Sequence, residues 1–420
     1  MPEAQLTSTD YQPITCDVRA PRNPPPSNLR SMFVVGGISS PASGIASTVG
    51  KLSSALVDEG TDVTVFVADT GRRGCSEFAT SEEVRRVVEP GRWAFRLQYS
   101  RKLRHRIAAS VSDFDVIHNH NLWVLPTHYS STFAHQAGKP VIFSSHGYFM
   151  DSALRHSRWK KRLAGVLFQD KDLDRSACIH ALTKGEIDGI RSHIKRPIVV
   201  IPNGVDTREF DVPVRPRHEL LTSYKIPANK QIILFLGRLH PIKGIANLIP
   251  AWKSLCQQHR DWHLVFVGPD GGMLQTIQQE TETEPLKSSV TIAGPMFGQD
   301  KCDLLIHADA LVLPSVSEGL SLTILEALAA RLPVVISAGC NFPEVAEHNC
   351  GTVVDASVAA LADGLRGVMT VSIEERQMMG RCGRTLVENK YAWPKIARQM
   401  QKMYRWTIGE NASSDLEIYD

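Results

Sequence analysis

The sequence predicts an α/β protein made of two doubly wound units in tandem, each a parallel sheet covered by helices. Three observations predict this. At 420 residues the chain is too long for one compact core. Twelve short runs, many rich in valine and isoleucine, are mostly apolar on both alternations, the pattern of strands buried on both faces. Amphipathic stretches separate these runs, as crossover connections between parallel strands require.

The first unit supplies the runs SMFVV (31–35), DVTVFVA (62–68), DVIH (115–118), PVIFSS (140–145), ACIHALT (177–183) and PIVVIP (197–202). Between the first two, Ile45, Val49, Leu52 and Leu56 form the single stripe of an amphipathic helix, which stops at Glu59-Gly60. The joint falls at IPNGVD (201–206), where Asn203-Gly204 signals a turn. The second unit follows a polar stretch, with the runs QIILFLG (231–237), HLVFVG (263–268), VTIAG (290–294), ALVLPS (310–315), PVVIS (333–337) and GTVV (351–354). The expected division is therefore a disordered, proline-rich lead over residues 1–28, a first unit over 29–205, a second over 206–389, a last helix within 390–408 and a tail over 409–420.

Composition is that of a soluble globular protein, with 43% hydrophobic and 22% charged residues. The net charge of +3 is unevenly spread: up to Val205 there are 26 basic against 19 acidic residues, and beyond it 21 against 25. A basic first half suits an anionic partner, although a solvated basic face explains it equally well. The eight cysteines show neither a CxxC pair nor metal-type spacing, which fits free thiols in a reducing compartment. No apolar run is long enough to span a bilayer, and the start of the chain lacks a signal-peptide pattern.

The residues that carry chemistry fall at the carboxyl ends of the predicted strands, where α/β sheets present ligands. Glu318 and Glu326 stand eight apart in SEGLSLTILEA, the first in a loop after a strand and the second on the following helix. The helix N-terminus at Leu320–Thr323 offers free N–H groups to a phosphate, and the two carboxylates suit sugar hydroxyls on either side of it. Taken alone, they are also readable as ordinary N-cap and surface-helix glutamates. Gly36, Gly37 and Gly44 frame a loop without the dinucleotide fingerprint G-x-G-x-x-G. His118, His120 and His146 follow two strands of the first unit, and Arg238, Lys243 and Gly268 follow two of the second. The alternating His118 and His120 also suggest a metal site, but no third ligand with suitable spacing is evident.

GRLHPIKG followed by SEGLSLTILEA, with NGVD at the joint, HGYF after a first-unit strand and YAWPKIARQMQKMY at the end, resembles the retaining glycosyltransferases of family 4 over residues 30–408. These have the two-Rossmann architecture called GT-B. The segment SSHGYFMDSALRHSRWKKRLAGVLFQDKDL is similar to bacterial enzymes that build cell-surface polysaccharides. The resemblance implies that Arg238 and Lys243 bind the donor diphosphate, which agrees with the needs of that group. It implies that Glu318 holds the donor sugar hydroxyls and Glu326 the ribose, with Gly319, Leu320 and Ser321 lending amides to phosphate. Ser321 stands where the family usually has glycine or another small residue. His146 matches a histidine beside the reacting sugar, His118 and His120 an acceptor-side HxH, and Met296 the place where the base is read through backbone groups. Gly37 and Gly44 belong to a loop facing acceptor and donor phosphate, and Gly268 joins the donor side. The last helix is expected to return to the first unit.

The implied reaction moves a hexose from a nucleoside diphosphate sugar to a hydroxyl with retained anomeric configuration. A UDP-sugar is favoured and GDP-mannose comes next. Asp113-Phe114-Asp115 has the letters of a metal-binding Asp-x-Asp but precedes its strand, so metal-independent catalysis without a cofactor is expected. The expected acceptor is a saccharide or a polyprenyl-diphosphate-linked oligosaccharide. RWAFRLQYSRKLRHR (92–106) and RHSRWKKR (155–162) would meet an anionic membrane from the cytoplasmic side. Competing readings are a non-catalytic nucleotide-sugar-binding subunit and, with the same fold, a nucleotide-sugar epimerase or phosphorylase. Nucleic-acid binding is disfavoured because no basic-aromatic module stands apart from the enzyme fold.

Overall fold

A computed structural model describes residues 28–36, 44–69, 80–91, 97–150 and 162–420. The predicted lead up to residue 27 lies outside them, as do Gly37, most of the glycine loop and much of both basic segments.

The strands of the first sheet are β1 (Arg30–Val35), β2 (Asp62–Asp69), β3 (Arg85–Pro90), β4 (Val116–Asn119), β5 (Val141–Ser144), β6 (Cys178–Ala181), β7 (Ile198–Val200) and, from the end of the chain, β14 (Ile418–Tyr419). Their order across the sheet is β14-β7-β6-β5-β4-β1-β2-β3. All pairings are parallel except β14 on β7. Helix α1 (Gly44–Asp58) covers one face, and its Val49, Leu52 and Leu56 are buried as the stripe requires. Helices α2 (Arg101–Ser110) and α3 (Leu125–Gln136) cover the other face.

The second sheet comprises β8 (Gln231–Leu236), β9 (Trp262–Val267), β10 (Val290–Gly294), β11 (Ala310–Leu313), β12 (Val334–Ser337) and β13 (Gly351–Val354). It has the order β10-β9-β8-β11-β12-β13, all parallel. Around it lie α4 (Ile245–Lys253), α5 (Gly298–His307), α6 (Leu322–Ala329), α7 (Val358–Thr370) and α8 (Ile373–Lys390). Chain order reverses between β8 and β11, so the switch-point crevice opens at their carboxyl ends.

The chain crosses between the units twice, side by side: the Val205 N–H donates to the Tyr391 carbonyl at 2.8 Å. After the second crossing, α9 (Trp393–Thr407) lays Ile396, Ala397, Met400, Met403 and Tyr404 into the first unit's core with Phe33, Val49 and Leu56.

Two elements differ from expectation. Strand β3 has no continuous apolar run because it is an edge strand, with Arg85 and Arg86 exposed. The last residues are not a free tail. Leu416 enters the core, and Ile418 and Tyr419 pair antiparallel with Val199 and Ile198, covering the backbone groups of the short strand β7. Among the described residues no helix is long and apolar enough to cross a membrane.

Candidate functional site

The crevice of the second unit gathers the predicted donor residues. Strand β8 runs out at Leu236 and places Arg238 exposed just beyond it. A single 3-10 turn, Pro241–Lys243, then leads into α4 through Gly244. Gly244 has φ +71°, and a Cβ there would lie 1.9 Å from the Pro314 carbonyl oxygen, so the turn is pressed against the end of β11. That contact brings Lys243 to Glu318, with Nζ 2.5 Å from Oε1. The Glu318 backbone is fixed on both sides: its N–H donates to Gly339 at 2.9 Å, and its carbonyl accepts from Asn341 Nδ2 at 2.7 Å.

Gly319 and the buried Leu320 lead to Ser321, whose extended backbone starts α6 without a side-chain cap. The first-turn amides are thus not taken by the cap side chain, which leaves a helix N-terminus suited to an anion. One turn further along α6, Glu326 is only 8% exposed. It is held by Lys301 of α5, Nζ to Oε1 2.7 Å. Burial opposes the lysine's charge, the adjacent Glu326 carboxylate outweighs it, and the ammonium is held above the usual lysine range. Met296 packs its side chain into the core just before α5. Gly268 has φ +149°, and a Cβ there would lie 1.9 Å from the Gly237 carbonyl oxygen, so its immediate demand is close passage of two strand ends.

The first unit contributes the turn after β5. His146 has φ +43°, a left-handed conformation rare for a residue with a side chain. Its Nε2 lies 3.2 Å from His120 Nδ1. Burial, with His180 nearby, lowers the His146 imidazole to about 3, so it is neutral at pH 7. Glycines 147 and 319 meet across the two units: a Cβ on either would lie 3.5 Å from the backbone of the other. The His146 turn and the Glu318 loop are therefore in contact. Asn121 ties in the end of β1, its Oδ1 accepting the Gly36 N–H at 2.7 Å. Gly44 opens α1 with unfilled space where a side chain would stand.

His118 and His120 are not presented to an acceptor, because both are completely buried. His118 belongs to β4 itself, and its two nitrogens are engaged in a chain whose direction can be worked out. His180 Nε2 lies 2.7 Å from the Ile201 carbonyl, which can only accept, so that nitrogen carries the proton. Ser144 must then donate to His180 Nδ1 at 2.7 Å and accept from His118 Nε2 at 2.8 Å. The Tyr404 hydroxyl, 2.8 Å away, donates to His118 Nδ1. The chain runs from α9 through β4 and β5 to the end of β7. Burial is the main cause that keeps His118 and His120 well below the usual histidine range and lowers His180 to about 4.

Two polar residues at the site escaped sequence reading. Lys301 lies 25 residues before its partner on a different helix, with no local pattern to mark it. Glu186, fully buried behind the His146 turn, accepts from Ser145 Oγ and from the Gly147 and Leu182 N–H groups, the last two at 3.0 Å. A separate cavity of about 660 Å³ lies between the units beside the crossings, lined by Lys184, Pro202, Asn341, Tyr391 and Glu417 among others. It touches Leu320 but none of Arg238, Lys243, Glu318 or Glu326.

Comparison with known proteins agrees with this geometry. Residues 42–209 match the family described as Glycosyltransferase Family 4, and residues 217–386 match Glycosyl transferases group 1. One human phosphatidylinositol N-acetylglucosaminyltransferase chain is 23% identical over 86% of this chain and 72% of its own length. The GDP-mannose-dependent alpha-(1-6)-phosphatidylinositol monomannoside mannosyltransferase of Mycobacterium tuberculosis is 30% identical over 49% of this chain and 55% of its own. Among solved structures, Anabaena HepE in complex with UDP and glucose superposes with a TM-score of 0.71 at 16% identity, covering 89% of this chain and 98% of that one. Sucrose-phosphate synthase from Thermosynechococcus elongatus gives 0.69 at 20% identity, covering 90% and 98%. The two family matches together take in most of the chain and the fold is GT-B, so this protein belongs to the glycosyltransferases of family 4.

Proposed function

We propose that this glycosyltransferase moves a hexosyl group from a nucleoside diphosphate sugar to a hydroxyl of a lipid-linked or growing oligosaccharide, with retention and without a metal ion. The observation that carries this reading is a pair of lysine–glutamate contacts, Lys243–Glu318 and Lys301–Glu326, flanking an uncapped helix N-terminus. Across from it stands the His146–Gly147 turn. On donor binding, Lys243 exchanges Glu318 for the diphosphate, joined by Arg238 and the first amides of α6. Glu318 then accepts hydroxyls of the sugar and Glu326 those of the ribose.

The bond from the anomeric carbon to the phosphate oxygen breaks, and its electron pair leaves with the diphosphate. Arg238, Lys243 and the helix end offset that charge. The acceptor oxygen bonds to the same face of the sugar, and its proton passes to the departing phosphate oxygen. Neutral His146 carries no imidazolium proton to give as a general acid near pH 7, so its part is to line the reacting carbon. UDP is favoured as the nucleotide and GDP-mannose is next. The named ligands of Anabaena HepE support the first, and the named donor of the mycobacterial relative the second.

A membrane-borne acceptor is supported by one face of the first unit. There α2 exposes Arg101, Lys102, Arg104 and Arg106. The helical segment 162–169, which includes the π-helix Gly165–Gln169 and runs into the short helix Asp170–Asp174, exposes Leu163, Val166 and Leu167 at 54%, 78% and 68%. Helix α3 packs against both α2 and Asp170–Asp174, and all three bury side chains in the same core cluster, so the basic and apolar groups lie on the same side of the first sheet. The relatives named for phosphatidylinositol are consistent with a lipid acceptor.

The deciding experiment is thermal shift with UDP, GDP and their sugars on wild type and Glu326→Ala. A shift with one nucleotide series, lost in the variant, supports the donor site; no shift with any nucleotide sinks it. The product anomer, read by NMR, tests retention. Co-sedimentation with phosphatidylglycerol vesicles at low salt tests the membrane face, and no binding by wild type refutes it.

A further inference from the structure

Glu186 follows β6 in the short turn Lys184–Glu186, has no solvent exposure and lies outside every sequence motif read for the site. Its carboxylate accepts three hydrogen bonds. One comes from its own segment, the Leu182 N–H at 3.0 Å to Oε1. The other two come from the turn after β5: the Ser145 hydroxyl and the Gly147 N–H, the latter at 3.0 Å, both to Oε2. They flank His146, the residue held at φ +43°. A Cβ on Gly319, next to Glu318, would lie 3.8 Å from Glu186 Oε1. The carboxylate thus grips the strained turn from both sides and reaches the junction where that turn meets the donor loop.

We propose that Glu186 is a positioning residue for the transfer reaction, clamping Ser145 and Gly147 so that His146 is held against the Glu318–Gly319 loop. The inference rests on the transferase reading above. A carboxylate serving only its own turn would stop at the Leu182 N–H, whereas two of the three donors here belong to another strand's end. Both oxygens receive hydrogen bonds from backbone N–H groups, which can only donate, Leu182 to Oε1 and Gly147 to Oε2. Burial pushes the group upward from the ordinary glutamate range, and the hydrogen bonds donated to it oppose that. Its replacement by glutamine keeps size and shape. In either orientation of the amide, however, one backbone N–H, of Gly147 or of Leu182, faces an NH2 group instead of an acceptor.

The test uses the full chain, with release of UDP or GDP from the donor sugar that wild type consumes, measured without acceptor as hydrolysis. Nucleotide-induced thermal shift reads donor binding separately. Glu186→Gln is expected to lower kcat about 100-fold, with KM for the donor and the nucleotide shift within about threefold of wild type. Ser145→Ala removes one donor of the clamp and is expected to lower kcat about 5–10-fold with the same split. This second variant keeps the test alive if Glu186→Gln does not fold.

A wild-type rate in both variants overturns the proposal. So does a parallel loss of kcat, nucleotide binding and melting temperature in both, which would mark a merely structural role. A wild-type protein that releases no nucleotide from any donor refutes the transferase reading and this role together. Wild-type turnover beside unaffected variants refutes the role of Glu186 alone.

Discussion

Replacing Lys301 by methionine keeps the apolar stem of the side chain and removes the ammonium 2.7 Å from Glu326. An exposed ion pair contributes about 0–1 kcal/mol. Removing one partner of a fully buried pair costs about 3–5 kcal/mol. Here the side chains are 23% and 11% exposed, so the loss is set between these limits, at about 2 kcal/mol. For a domain of this size that lowers Tm by about 4–8 °C. Nucleotide affinity falls as well. Lys301 occupies Oε1 of Glu326 and so keeps its other oxygen aimed. Losing that aim weakens a charge-assisted hydrogen bond to ribose by about 1.4 kcal/mol, or about tenfold in Kd. Differential scanning fluorimetry and isothermal titration with UDP or GDP read both effects. Adding Glu326→Gln to Lys301→Met should recover most of the lost Tm, because no unpaired buried carboxylate remains. Unchanged or tighter nucleotide binding in Lys301→Met, or a double variant no more stable than the single losses add up to, would refute the reasoning.

Gly244→Ala should destabilise by about 3 kcal/mol, read by urea unfolding, since the left-handed backbone and the clash with Pro314 act together. A loss under about 1 kcal/mol would mean the turn yields freely. Tyr404→Phe deprives His118 Nδ1 of its donor and should cost about 1–3 kcal/mol, read the same way; an unchanged midpoint would break the inferred chain of donors. Stability should also depend on pH through the buried histidines. His146 and His180 are depressed to about 3 and about 4, while the unfolded chain takes up protons near the ordinary value of about 6.5. Their contribution is therefore complete above about pH 6.5 and is lost as pH falls toward 4, at about 1.4 kcal/mol per histidine per pH unit. Urea midpoints that stay level between pH 7 and pH 5 would contradict this.

Much of the fold was legible because central strands of parallel sheets are apolar on both faces, as SMFVV, QIILFLG and ALVLPS are, and even the edge strands of the second sheet, VTIAG and GTVV, keep short apolar runs. The edge strands of the first sheet carry no such signature. Strand β3 is charged on its open side, and β14 is two residues laid on a short neighbour, so both escaped. At the site, Glu318 and Lys243 were legible because loops at strand ends bring them together, and each sits in a recognisable local motif. Lys301 and Glu186 were not legible, because each is defined by a partner on another element. His118 was misplaced for a related reason. The letters HNH put it at a strand end, but β4 continues through Asn119 and turns the ring into the core.

The return of α9 to the first unit has a consequence for synthesis on the ribosome. Strand β7 ends at Val200, whereas the helix that seals the apolar face of Phe33, Val49 and Leu56 begins at Trp393. About 190 residues separate them, which at ordinary elongation rates is roughly 10–40 s of translation. During that interval the first unit emerges with one side of its sheet incompletely covered, while the second unit acquires all its own strands and helices. The domain made first is thus the one finished last. A nascent chain stalled before Trp393 would present a complete second unit beside an unsealed first one, a species open to chaperone capture.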